Sequence, residues 1–369
     1  MKKYTDDFVE KIHQSKETVS VYGVNVLLKE SPLRAGKGYM DPVELKIMQQ
    51  NWAANDGGEG GNPFEQNLPA DQMVPFLRDM MGFPNLNLNT MEIITKYETL
   101  DACGHTFGLW RYYLRRGKKE PKSCLVYIHG GGWLGGSVYA VENACKLIAE
   151  LADAVVFSVD YDLAPEVKFP DNLNECYAAV RHVYEHAGDY GIDKGKITVA
   201  GDSAGGNLCA AMCLKDRDEG NHFISQEILL YPAVTFGRNA AEGYEWKEDV
   251  YEAVPEQKGP VFGSLMLGRP IDLNGNLEAG CYFKDIADAG HPYASPMMAE
   301  SFAGVAKTII MTSEYDGLRQ QGEFYGAQLT KAGVDTVIYR YCGCTHAFLD
   351  RLGYQPQTEE ACMVIAEAL

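Results

Sequence analysis

A serine hydroxyl becomes a useful nucleophile only when the chain presents it sharply and a base can take its proton. Gly201-Asp202-Ser203-Ala204-Gly205 fits G-x-S-x-G between an apolar run and helix-forming residues. That is the context of a strand-to-helix turn so tight that the residues flanking the serine must lack bulk. Upstream, the apolar run at 124–128 ends in His129-Gly130-Gly131-Gly132-Trp133, where glycine amides can meet a ligand with no side chain in the way. Donors of that kind, aimed at a developing alkoxide, contribute about 3 kcal/mol each. Gly130 and Gly131, together with the amide of Ala204, are the expected donors.

The base and its orienting acid should follow the serine and stand at strand ends. His346 comes after the apolar run at 336–341, and Asp316 after that at 307–312. Glu314, Asp285 and Asp288 compete for the place of the acid. Of the other histidines, His13, His182, His186 and His222 fall in solvated or helical surroundings, and His105 and His291 have no strand before them.

Two other chemistries compete for these residues. Gly130, Gly132 and Gly135 also satisfy G-x-G-x-x-G after a strand, and Asp160 ends the next strand as a ribose-binding acid would. A dinucleotide site, however, leaves His129 and the whole 201–205 turn without a role. Cys342, Cys344 and His346 alternate along one extended segment as metal ligands could. Zinc needs further ligands, and no CxxC or HxxxH partner accompanies them. Neither a cofactor nor a metal is therefore expected.

The elements that must position these residues can be read from periodicity. Two strands joined by a turn at 101–105 lead in, carrying Ile93, Ile94 and Tyr97, then Phe107, Leu109, Trp110, Tyr112 and Leu114. Short apolar runs at 124–128, 154–159, 196–200, 227–231, 307–312 and 336–341 read as buried parallel strands. Helical patterns at 141–152, 173–186, 204–215 and 320–332 separate most of them. Such alternation implies right-handed crossovers and a mostly parallel sheet with helices on both faces, with ligands at the carboxyl ends of the strands.

Residues 1–89, with a glycine-rich stretch at 56–61, and residues 236–290 break the pattern. Both are expected to be cap or lid material, because structureless loops of that length are uncommon. The expected organisation is thus an N-terminal cap segment (1–89), a first core part (90–235), a cap insertion (236–290) and a second core part (291–369). Trp52, Phe64, Phe76, Leu77 and Phe83 give the N-terminal segment apolar material to pack against the insertion.

A formal charge of −18, from 33 basic and 51 acidic side chains, with no cationic stripe, argues against nucleic acid as a partner. No window reaches the apolar length of a membrane helix, and no signal-peptide pattern follows Met1. A cytoplasmic protein is expected, its ten cysteines reduced.

HGGGW at 129–133, YDLAPEVKFP at 161–170, GDSAGGN at 201–207, YASP at 293–296 and EYDGLRQQGEFYGAQL at 314–329 together resemble the hormone-sensitive lipase family of α/β-hydrolase esterases. The likeness runs from about residue 90 to the C-terminus. It implies an α/β-hydrolase fold and a Ser203, His346 and Asp316 triad, with an acyl-enzyme on the way to hydrolysis. It also implies a small short-acyl ester as substrate, acetyl esters among them. Two positions depart from the pattern: Asp162 where a basic residue often stands, and Gln320 where a second acid often follows the catalytic one. An amidase or peptidase on the same fold is the nearest alternative. A ligand receptor without catalysis would be expected to have lost a triad member. Partners are expected to be the ester itself and, as an open possibility, a second copy of the chain.

Overall fold

A computed structural model describes residues 1–56, 69–117, 120–237, 241–266, 268, 272–273 and 276–369. Residues 57–61 of the glycine-rich stretch, and Phe64, lie outside the described residues.

Apolar runs too continuous to be half-buried become the middle of the sheet. The strands are β1 (Thr18–Val21), β2 (Val24–Lys29), β3 (Ile93–Ala102), β4 (His105–Leu114) and β5 (Lys122–Ile128). They continue with β6 (Val155–Asp160), β7 (Ile192–Asp202), β8 (Gln226–Leu230), β9 (Lys307–Tyr315) and β10 (Thr336–Thr345). Among the described residues these ten form one sheet in the order β1-β2-β10-β9-β8-β7-β5-β6-β4-β3. Pairing is parallel from β2 through to β6 and antiparallel at both edges.

Successive side chains of a strand point to opposite faces, so β5 feeds two cores. Cys124, Val126 and Ile128 pack with Val199, Leu229 and Ile310 against α5 (Asp171–Glu185), α7 (Ala204–Asp218) and α10 (Arg319–Lys331), through residues such as Leu173, Leu208 and Leu329. Leu125 and Tyr127 pack with Ala200, Ile228 and Met311 against α4 (Val138–Ala152) and α11 (Pro356–Ala368), through Ile148, Cys362 and Ile365. No helix among the described residues is long and apolar enough to cross a membrane.

The N-terminal segment departs from expectation. Residues 18–29 are not cap: the hairpin β1–β2 joins the main sheet beside β10, with Tyr339 in register with Leu27, and α1 (Asp6–His13) packs on α11. Lys29 and Glu360, each almost fully buried, form an ion pair at 2.6 Å that ties β2 to α11. The residues around Met40 meet the 236–290 segment, and α3 (Ala70–Met80) meets the core. Met40, ahead of α2 (Pro42–Asp56), packs with Val261 of α8 (Lys258–Ser264), and the Met40 N–H donates to Gln257 at 2.8 Å. On α3, the Arg78 guanidinium donates to the carbonyls of Leu134 and Ala164 and pairs with Glu166.

Removing one partner of a buried pair strands the other charge. Lys29→Ala is expected to lower unfolding free energy by about 3 kcal/mol, measured by urea denaturation. An unchanged midpoint would show that the hairpin is not integral to the core.

Candidate active site

The site is assembled by strand register. Tyr315, the last residue of β9, is paired with Thr345, the last of β10, so the two residues that follow emerge side by side. These are Asp316 and His346, and His346 Nδ1 lies 2.8 Å from Asp316 Oδ2. On the other side of the imidazole, Nε2 lies 2.9 Å from Ser203 Oγ. Asp316 is fully buried, and its second oxygen accepts the Leu318 N–H at 2.9 Å. The competing acids are engaged elsewhere: Glu314 pairs with Arg34 and accepts the Gly343 N–H, and Asp285 caps the turn at Ala287.

Ser203 has φ +53°, a conformation that costs a side-chain-bearing residue energy and that tight packing must maintain. The packing is visible at the flanking glycines. A methyl group on Gly205 would stand 2.0 Å from the Ile128 carbonyl oxygen, and one on Gly201 2.4 Å from that of Gly205. Helix α7 therefore starts directly against the end of β5. Its first amide, Ala204, has no partner within the helix.

The glycine loop corrects one expectation. The Gly130 N–H donates to buried Asp202 Oδ1 at 2.9 Å, so it cannot serve a substrate oxygen. Gly131 and Gly132, at φ +125° and +60°, carry the next two amides, and no acceptor for either is found among the described residues. Nothing local in the sequence tells which of three successive amides a distant carboxylate will occupy. The dinucleotide reading also fails on geometry. The Gly135 N–H closes on the Gly131 carbonyl at 2.9 Å, and α4 begins only at Val138. Behind the loop, His129 Nδ1 lies 2.8 Å from the Gly130 carbonyl oxygen and the ring stacks on Tyr161. Burial holds this imidazole down at about 4, hence neutral.

Electrostatically, burial disfavours a charged His346, but the charge and hydrogen bond of Asp316, reinforced by Asp202 and Asp350, prevail and raise its pKa above 6.5. Cys342 and Cys344 are buried, with Cys342 Sγ directed at the Arg340 carbonyl, and they do not join His346 in a ligand set. One residue was not anticipated at all. Glu278, on α9 (Leu277–Tyr282) of the insertion, reaches the glycine loop, where a methyl group on Gly132 would stand 2.7 Å from its Oε1. Burial pushes its carboxyl up to about 7, with the nearby His346 opposing the shift. No motif marks it, because it lies in a segment without periodicity.

A family model described as alpha/beta hydrolase fold matches residues 125–350. An arylesterase of Saccharolobus solfataricus is 32% identical over 252 residues, which span 68% of this chain and 75% of the relative. Esterase LipI of Mycobacterium tuberculosis is 31% identical over 88% of this chain and 92% of its own. Among solved structures, a hyperthermophilic esterase from the archaeon Pyrobaculum calidifontis superposes with a TM-score of 0.69 at 30% identity, covering 89% of this chain and 97% of that one.

With its pKa raised to about 7, Glu278 is neutral below that pH and charged above it, beside amides that could receive an alkoxide. Glu278→Gln is expected to raise kcat/KM for an uncharged ester about fivefold near pH ~8.5, ~1 kcal/mol for partly screened charges, and to change little near pH ~6. Superimposable pH profiles of the two proteins would show that this carboxylate does not act on the reaction.

Proposed function

The chain belongs to the hormone-sensitive-lipase-like esterases of the α/β-hydrolase fold family and is a carboxylesterase-type serine hydrolase, and from that premise we propose that it cleaves small short-acyl esters through an acyl-enzyme on Ser203. The observation that carries the reading is the unbroken line from Asp316 through His346 to Ser203, at 2.8 and 2.9 Å.

In this mechanism Ser203 Oγ attacks the acyl carbon while His346 Nε2 takes its proton. The carbonyl oxygen becomes an alkoxide and is received by the amides of Gly131, Gly132 and Ala204. Collapse expels the alcohol, which carries away the proton held on Nε2. Water then repeats the sequence on the acyl-serine, with His346 again as base, and releases the acid. Asp316 fixes the imidazole orientation and steadies the imidazolium that forms twice per turnover. The Leu318 amide and the burial of Asp316 support that role.

Acetyl and other short acyl groups are favoured because the insertion crowds the loop. Trp133 stacks on Tyr282 and lies tilted against Phe236, with ring centroids at 4.6 and 4.7 Å. These contacts, and those of residues 38–48 and α3 with the insertion and the loop, support a composite cap that includes the described residues of 30–89 and 236–290. A pocket that can take one more methylene gains about 0.8 kcal/mol from it, and a closed one rejects it. A ladder of acetyl, butyryl and octanoyl esters tests this, with the rate expected to fall steeply beyond butyryl.

Ser203→Ala is expected to abolish both ester hydrolysis and fluorophosphonate labelling with an unchanged melting curve, and Asp316→Asn to lower kcat by about 10⁴. Substantial hydrolysis by folded Ser203→Ala protein would overturn the assignment. Because only neutral His346 can accept the proton, kcat/KM should be lost as pH falls through a midpoint above 6.5, the ordinary imidazole value. A midpoint below that value would mean that Asp316 does not stabilise the imidazolium.

A further inference from the structure

Away from Ser203, the described residues gather one group of metal-ligating side chains: His105, Asp162 and Glu175. His105 opens β4 after the turn at Cys103 and Gly104, Asp162 follows β6, and Glu175 sits on α5. His105 Nδ1 stands 2.8 Å from Glu175 Oε1 and 3.2 Å from Asp162 Oδ2. Two donors each bonded about 2.1 Å from one ion at the tetrahedral angle lie about 3.4 Å apart, and the three ligand atoms here lie within 4.8 Å of one another.

Glu175 is fully buried. Its Oε2 accepts the Asp162 N–H at 2.9 Å. Its Oε1 faces His105 but accepts no hydrogen bond from any described residue. Among the described residues, His105 alone forms an ion pair with either carboxylate. Where a basic residue often stands in the family, this chain therefore places a second acid beside a buried one. The shortfall is of positive charge, and the geometry leaves a place for it.

We propose that His105 Nδ1, Asp162 and Glu175 bind a divalent first-row transition cation such as Zn²⁺. One imidazole with two carboxylates suits such ions, whereas Mg²⁺ and Ca²⁺ take oxygen ligands. The side chains of His105 and Asp162 are 27% and 40% exposed, which leaves the ion a route in and water as its remaining ligand. The site would be structural. It pins the β3–β4 turn to the segment that braces the glycine loop, where Tyr161 Oη donates to the His129 carbonyl at 3.0 Å and the Ala164 N–H to that of Trp133 at 2.9 Å.

Calorimetric titration of chelator-treated full-length protein with zinc chloride tests the proposal, with His346→Ala as a control for binding at His346. One equivalent of Zn²⁺ should bind to wild type and to His346→Ala alike and raise Tm. Asp162→Asn and His105→Gln should each weaken binding at least about tenfold. Absence of saturable binding below millimolar zinc would overturn the site, as would equal affinity for Mg²⁺ or full binding in both ligand variants. If a variant fails to fold, Co²⁺ added to wild type gives the decision: the His105 imidazole NMR signals should vanish through paramagnetic broadening, and their persistence would overturn the assignment.

Discussion

The close approach of α7 to the end of β5 is the constraint on which the rest of the site depends. With Gly205 against the Ile128 carbonyl, and Gly201 against Gly205, no side chain fits at either position two residues from the serine. Three consequences follow from that contact. Ser203 is held at a positive φ with its hydroxyl projecting from the sheet. The first amide of α7 has no partner within its own helix. Asp202, one residue earlier, is turned into the core, where Tyr127 Oη and the Gly130 N–H both donate to it. The nucleophile, the amides and the brace that aligns them are thus set by one steric condition.

Burial then determines how the charges behave. His346 and Glu278 occupy the same low-dielectric space and move in the same direction for opposite reasons. Asp316 offsets the desolvation of the imidazolium, whereas at the Glu278 carboxylate burial prevails over the opposing charge of His346, so its neutral form is favoured. In the proposed mechanism one carboxyl orients the base and another stands beside the forming alkoxide, so the pH response is shaped by both.

The two departures from the family pattern have physical outcomes. Gln320 accepts the Lys247 N–H at 3.0 Å and donates to the Lys247 carbonyl at 2.7 Å. An ionised acid could accept but not donate, so the amide fastens the insertion onto α10 through both groups. Asp162 has the opposite effect. It removes a cation from beside Glu175 and leaves the carboxylates to His105.

The core strands, the serine turn and the order of Ser203, Asp316 and His346 were legible in the sequence. Their causes are short-range: strands covered on both faces are written as unbroken apolar runs, and a tight turn admits only glycine at its flanks. Strand ends were less legible. β9 and β10 run on to Tyr315 and Thr345, past the last strongly apolar residues, because pairing in the sheet continues where hydrophobic pattern has stopped. Tertiary structure alone decided the remainder. The β1–β2 hairpin finds β10, and Lys29 finds Glu360, across almost the whole chain. Asp202 chooses Gly130 among three equivalent glycines, Glu278 arrives from an aperiodic segment, and His105 meets Glu175 from another strand's turn. Periodicity and sterics act between neighbours in sequence, whereas hydrogen-bond partners and burial are set by residues that become neighbours only when the chain has folded.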